Sequence, residues 1–321
     1  MSLIGKLLYK FYYQPKSQRA VVEKFGGKKK YQKMLAAEAE MKKYALEALT
    51  IKSNFHPAGE FKINLLTGDR FIHQSLFCVY SFFKFLTPEE SAQFSVNFYS
   101  DGTLSDEVVS VLKARFPQIQ LVSYSDTKDA LRKYLPETLF PRLNQKVAAI
   151  PLFKKLIYPH LNQSGGSAFF DSDMLFLKKP VAFLNWIEQF KTGKITAFCI
   201  LDVHRSYGYS EESIRKIWPG GIIHNINSGM YGIDSRQIDF GAIENLVVDF
   251  EDKFGSQYYL EQMITAMILE KSPDLIVASP HEYIVMPGPE QVRAQTGTLH
   301  HYVNESKAFY FLESWRLQIT A

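Results

Sequence analysis

Ser167-Ala168-Phe169-Phe170-Asp171-Ser172-Asp173-Met174-Leu175-Phe176-Leu177 is an apolar run broken once, by two aspartates around a serine. An apolar strand halts there and resumes at once. Two carboxylates amid Phe169, Phe170, Met174, Leu175 and Phe176 are costly to bury without a partner or a metal. On an extended chain Asp171 and Asp173 project to one side and Ser172 to the other, so the pair can hold a divalent cation directly or through water. A bare D-x-D that merely ends a strand is the alternative, and the surrounding chain decides between them.

Outward from this stretch, short apolar runs alternate with helical patterns from about residue 61. FKINLLTG (61–68) reads as a strand followed by a helix from about Phe71 to Phe85. FSVNFYSDG (94–102) precedes a helix carrying Leu104, Val108, Leu112 and Phe116 on one face, with Thr103 and Asp106 as its cap. IQLVSYS (119–125) is a third strand, and a helix around Ile150 to Leu161 leads through Gly165-Gly166 into the aspartate run. Beyond it lie a helix started by Pro180, the strands KITAFCILDV (194–203) and MYGID (230–234), a helix from about Ala242 to Lys271 kinked near Gly255, and the strand LIVAS (275–279). This alternation predicts α/β units on a mainly parallel, Rossmann-like central sheet flanked by helices, with ligands at the carboxyl ends of the strands.

Near the end, LHHYVNESKAFYF (299–311) supplies His301 and, six residues later, Lys307. Imidazole beside carboxylates makes a mixed N/O donor set suited to Mn²⁺ or Mg²⁺ when phosphate oxygens complete it. Lysine can lie against a diphosphate as a point charge.

These residues resemble the GT-A glycosyltransferases, and within them family 8. The family's tail pattern H-F-x-G-x-x-K-P-W is similar to His301-Tyr302-Val303-Asn304-Glu305-Ser306-Lys307-Ala308-Phe309, with His and Lys in register. Its R-L-x-I-P resembles Lys155-Leu156-Ile157-Tyr158-Pro159, its F-N-x-G resembles Ile226-Asn227-Ser228-Gly229, and its D-Q pair resembles Glu261-Gln262. The motifs run in order from about residue 61 to 311. The chain departs from the pattern with Lys155 for arginine, Glu261 for aspartate, Asn304 for glycine and Ala308 for proline.

The resemblance implies a GT-A fold and transfer of a hexose from a nucleotide diphosphate sugar, a UDP-sugar by family habit, with retention. Carried over by position, Asp171, Asp173 and His301 hold the metal and Lys307 contacts the diphosphate. The first βα turn, Thr67, Asp69 and Phe71, takes the base and ribose, with Ser100, Asp101 and Ser172 as further donor contacts. Lys155 lies near the donor sugar or phosphate, Asn227 lines the sugar or acceptor cleft, and Glu261-Gln262 stand by the reacting carbon. The implied acceptor is a glycan, glycolipid or protein. A silent nucleotide-sugar or glycan-binding protein on the same fold is the alternative. A haloacid-dehalogenase-like phosphatase fits poorly, because its D-x-D-x-T/V follows the first strand and here Leu175 occupies the last place.

A length of 321 residues with 46% hydrophobic and 14% aromatic residues is that of a folded globular chain. Its formal charge of +4 divides unevenly, +7 in residues 1–50 and −3 in the rest. Residues 1–55 therefore read as a basic helical extension and 56–321 as the catalytic domain. The extension reads as helical pieces broken at Pro15 and Gly26-Gly27, with Tyr31, Met34, Leu35, Met41, Tyr44, Ala45 and Ala48 at roughly helical spacing. It either packs on the main domain or docks on an anionic membrane through its lysines and Phe11, Tyr12, Tyr13 and Tyr31. No nucleic-acid motif accompanies the charge. Cys78 and Cys199 sit in apolar runs as reduced thiols, and neither a signal peptide nor a spanning segment is legible, which reads as a cytoplasmic chain, peripheral on a membrane's inner face only if the extension docks there.

Overall fold

The computed structural model describes residues 14–51 and 55–320. Its strands are β1 (Phe61–Thr67), β2 (Phe94–Ser100), β3 (Ile119–Val122), β4 (Gly166–Phe170), β5 (Met174–Phe176), β6 (Thr196–Leu201), β7 (Ile226–Asp234), β8 (Asp274–Val277), β9 (Tyr283–Val285) and β10 (Leu299–His301). Seven form one sheet in the order β3-β2-β1-β4-β7-β6-β8, and β5-β10-β9 form a second. Pairings β2/β3, β1/β2, β1/β4 and β6/β8 are parallel; β7 runs antiparallel to both β4 and β6. Every residue of β2, β4 and β7 is buried, as apolar runs covered on both faces must be.

One face of the large sheet packs on the helices Ile72–Phe83 and Val181–Lys191, where Phe82 meets Phe94, Phe170, Phe176 and Phe183 with ring centroids 5.1–5.8 Å apart. The other packs on the helices Pro151–Ile157, Phe240–Phe254 and Leu260–Leu269. The crossover from β1 goes to β2 on one side while β4 pairs on the other, so the strand order reverses at β1 and opens a crevice at the carboxyl ends.

Local details differ from the sequence reading. Asp171-Ser172-Asp173 is a turn, not extended chain, because it carries the polypeptide from β4 in one sheet to β5 in the other. The expected long helix from Ala242 is two helices, since Gly255 takes φ 78° and closes the first. The cap of the helix Asp106–Arg115 is Ser105, whose hydroxyl accepts from the Val108 amide, not Thr103 or Asp106. Pro15 lies in the first turn of the helix Gln14–Lys24, where its missing amide costs nothing, and the chain before it lies outside the described residues. Gly26 and Gly27, at φ 80° and 94°, do separate that helix from Lys28–Glu47.

The helix Lys28–Glu47 buries Met34, Ala37, Met41 and Ala45 in the same core as the helix Ile72–Phe83. Tyr44 sets its ring 5.8 Å from Trp315, and Arg115 donates to the carbonyls of Leu46 and Leu49. Lys28, Lys29, Lys30 and Lys33 remain exposed on its outer side. Phe11, Tyr12 and Tyr13 lie outside the described residues. Among the described residues no helix is long and apolar enough to cross a membrane.

Candidate functional site

Pairing of β10 with β5 sets His301 opposite Met174, the residue after Asp173. His301 Nε2 thereby lies 3.2 Å from Asp173 Oδ1 and 3.6 Å from Asp171 Oδ2. One ligand atom from each of the three falls within 4.8 Å of the others. Space beside them is kept by Gly229: a Cβ there would stand 2.5 Å from His301 Cε1 and 2.7 Å from Asp171 Oδ2. The Gly229 carbonyl in turn accepts from the Asp171 amide at 2.6 Å. Two carboxylate oxygens and an imidazole nitrogen that converge in this way fit a hexacoordinate divalent cation that completes its shell with phosphate or water oxygens.

Two lysines flank this triad. Lys307 Nζ is 3.0 Å from Asp173 Oδ2. Burial by itself would raise the Asp173 carboxyl, but Lys307 and His301 beside it hold it well below the usual range, so it is a carboxylate at any working pH. Lys155 Nζ sits 3.5 Å from Asp171 Oδ2 and 3.9 Å from Glu261 Oε2. Burial disfavours its charge, yet Asp171 and Glu261 more than compensate and keep it an ammonium. Glu261 is wholly buried, and desolvation pushes its carboxyl up to about 7 against the pull of Lys155. Its oxygens accept from Ser228 Oγ at 3.1 Å and Thr265 Oγ1 at 3.0 Å. The main chain of Lys155 is anchored from below: Tyr231 donates to its carbonyl, and His160 and Ser235 continue that buried chain of polar contacts.

Two cavities meet at Lys155, Asp171, Leu152 and Tyr258. The larger, about 620 Å³, is lined by Lys307, Ser172, Lys154, Asp101, Thr103 and Phe71 among others. A nucleoside diphosphate suits a cavity of that volume, whose wall offers both an aromatic face and ammonium groups. The smaller, about 270 Å³, is lined by Asn227, Gln262, Asp202, His204 and Tyr259. Asp202 Oδ2 accepts from Asn227 Nδ2 and Gln262 Nε2, each at 3.1 Å, which fixes how both amides face the cavity.

The structure brings together Asp171, Ser172, Asp173, Lys155, Lys307, His301, Asn227 and Gln262 on the walls of the two cavities, with Phe71 and Asp101 on the wall of the larger. Thr67 is not on the cavity wall: its hydroxyl is fully buried and accepts from Ser75 Oγ. Asp69 turns its carboxylate onto the Ser105 amide at 2.8 Å and so braces two loops. Ser100 is buried and its hydroxyl accepts from the Gly102 amide. Glu261 lies behind Lys155, not on the cavity wall. Residues missed in the sequence are Asp202, Lys154 and Tyr258. Asp202 follows directly on β6, and the rule that strand carboxyl ends carry ligands would have found it.

No family model matches the sequence, and no curated protein matches it either. Among solved structures the chain is similar to mouse xyloside xylosyltransferase 1 in its apo form, at 11% identity over 75% of this chain and 96% of that chain, TM-score 0.49. It is also similar to the galactosyltransferase LgtC in complex with donor and acceptor sugar analogues, at 12% identity over 81% and 96% of the two chains, TM-score 0.48. A third is the bifunctional glycosyltransferase WbbM, at 10% identity over 82% of this chain and 51% of that one, TM-score 0.45. Likeness at these identities concerns the path of the chain and assigns no residue a role.

Proposed function

We propose that this chain is a metal-dependent glycosyltransferase of the GT-A type, moving a hexose from a UDP-sugar to a glycan, lipid-linked or protein hydroxyl with retention at the anomeric carbon. The observation that carries this reading is the convergence of Asp171, Asp173 and His301 with Lys307 and Lys155 where the two cavities meet. Asp171, Asp173 and His301 would hold Mn²⁺ or Mg²⁺, which supplies charge neutralisation to the donor's phosphates.

The protein's own groups do the rest. As the bond between anomeric carbon and phosphate oxygen breaks, its electron pair stays on the diphosphate, and Lys307 and Lys155 stabilise that growing charge more than the ground state. The acceptor oxygen attacks from the departing phosphate's side and its proton passes to a phosphate oxygen, so configuration is kept. Gln262, held by Asp202, presents a dipole to the cationic sugar, and Asn227 lines its other edge. Phe71 offers the base a stacking face, and Asp101 and Thr103 stand beside it.

Release of free UDP from UDP-glucose or UDP-galactose in Mn²⁺, abolished by excess chelator, is the expected result. Tight UDP binding without release from any nucleotide sugar would instead favour a silent binding protein on this fold. A cytoplasmic enzyme with a lipid-linked acceptor would gain from the exposed Lys28, Lys29, Lys30 and Lys33 at an anionic inner leaflet.

A further inference from the structure

The smaller cavity has a stretch of wall that the donor leaves unused. Asp202, His204 and Tyr259 line it and do not line the larger cavity, while Tyr258 lines both. Tyr258 is 58% exposed and Tyr259 45%, with ring centroids 5.2 Å apart and planes at 85°. Two neighbouring aromatic rings left open beside a cavity are surface that an incoming ligand can cover. The His204 imidazole is exposed too, and among the described residues no hydrogen bond or ion pair engages it or either tyrosine hydroxyl.

This stretch is fixed in place before any ligand arrives. Asp202 follows directly on β6, and the loop beyond it is fastened through alternate residues. Arg205 donates to the Ile222 carbonyl at 2.9 Å and to Glu211 Oε2 at 2.6 Å. The buried Tyr207 donates to the His224 carbonyl at 2.6 Å and accepts from the Ile226 amide at 2.8 Å. Gly208, at φ 77°, lets the same loop approach the segment that bears the two tyrosines, since a Cβ there would stand 2.8 Å from Gln257 Cβ.

The chemistry of the wall selects among acceptors. Asp202 accepts from Asn227, Gln262 and the Val203 amide, three bonds of the roughly four a carboxylate can take, which leaves a place for one ligand hydroxyl. An acidic group would meet the Asp202 carboxylate while Asp171 and Glu261 already engage Lys155. A purely apolar chain would bury Asp202 and His204 without giving them a partner. A neutral sugar ring satisfies both conditions, with hydroxyls at its edge and C–H groups on its faces.

We infer that His204 and Tyr259, with Tyr258 beside them, are specificity-determining residues of the acceptor site and select a neutral pyranose. Its C–H face lies on the tyrosine rings and its hydroxyls bond His204 and Asp202. This inference rests on the nucleotide-sugar reading of the larger cavity.

The test is an array of oligosaccharides, neutral ones beside sialylated and phosphorylated ones, probed with the full chain in saturating UDP and Mn²⁺. His204→Ala, Tyr259→Ala and Tyr259→Phe are probed in parallel, each with a thermal melt and a calorimetric UDP titration. The parent should bind neutral pyranosides in preference to acidic ones. Tyr259→Ala should weaken that binding about tenfold, the scale of one aromatic contact, and Tyr259→Phe should keep most of it. His204→Ala should weaken it roughly fivefold, the scale of one hydrogen bond. UDP affinity should stay within about threefold throughout, since neither side chain lines the larger cavity. Glycan binding that survives Tyr259→Ala, a preference for acidic sugars, no glycan bound by a chain that binds UDP, or an equal loss of UDP affinity overturns the inference while the proposed function stands. A parent chain that binds no UDP overturns both.

Discussion

His301 Nε2 lies 3.2 Å from Asp173 Oδ1, although 128 positions separate the two residues in the chain. The short ladder between β5 and β10 creates that proximity, and the second sheet therefore exists largely to bring a histidine to the aspartate turn. Asp173→Asn keeps the side chain's size and removes ligand charge, so Mn²⁺-dependent UDP binding should disappear. Calorimetry with and without chelator checks this, and equal UDP affinity in both would remove the metal from the site.

The neighbouring histidines should separate cleanly. On sequence grounds alone His300→Ala would be tolerated, but His300 is buried, with Nδ1 3.1 Å from Tyr302 Oη and Nε2 2.8 Å from the Thr296 carbonyl. His300→Ala should lower the melting temperature, with a cost of about 1–3 kcal/mol for orphaned buried partners, yet leave UDP and Mn²⁺ affinity intact. His301→Ala should do the reverse. Loss of metal-dependent binding in His300→Ala alone would mean the register is wrong by one residue.

Gly229→Ala places a methyl group 2.5 Å from His301 Cε1 and 2.7 Å from Asp171 Oδ2. Something must shift, and the groups that would move are the proposed metal ligands. We expect at least a tenfold loss of Mn²⁺-supported UDP affinity, the effect of displacing ligand orientation. Wild-type affinity in this variant would show that the triad tolerates expansion and is not a tight ligand cage.

Buried histidines contribute a pH dependence of stability: burial lowers His300 to about 4, and two others further. Desolvation lowers His160 from 6.5 to about 3, with Lys62 adding to the effect and Ser235 and Tyr231 as its polar neighbours. Desolvation likewise lowers His73 to about 3, with Lys42 and Lys307 reinforcing it and Glu38 opposite. Below pH 6.5 the unfolded chain takes up protons that the folded chain refuses, so stability falls from pH 6.5 toward 3. Each group should contribute a slope of ~1.4 kcal/mol per pH unit inside its own window. Urea titrations from pH 7 to 4 should show a shallower decline in His160→Gln; an unchanged slope would mean His160 is charged or hydrated in the native state.

Deleting residues 1–50 should expose the surfaces that Met34, Ala37, Met41 and Ala45 cover, lower the melting temperature and impair nucleotide binding. Methionine burial alone contributes on the order of 1.5–3 kcal/mol for each side chain. The outward lysines are separable from that packing. Changing Lys28, Lys29, Lys30 and Lys33 to glutamine should leave the melt unchanged while reducing sedimentation with anionic vesicles at low salt. No vesicle binding by the intact chain would end the membrane proposal.

Much of this was written locally. Apolar runs of strand length, separated by helical periodicity, determined a mainly parallel α/β sheet, because burial on both faces forces that pattern on each segment separately. The spacing of Asp171 and Asp173 marked the charged end of the site, because a carboxylate inside an apolar run needs a partner; His301 and Lys307 were marked by the resemblance of the tail pattern. What neighbours in sequence could not reveal is which surfaces meet. Thr67, Asp69 and Ser100 carry suitable groups at suitable turns, but Ser75, Ser105 and Gly102 claim them across short tertiary contacts. Glu261 is an active-site neighbour only through Lys155, and Asp202 matters only because Asn227 and Gln262 converge on it. The basic N-terminal helix turned out to face both ways, its methionines inward and its lysine run outward, since helical periodicity defines the apolar stripe but only packing decides what that stripe and the polar residues beside it touch.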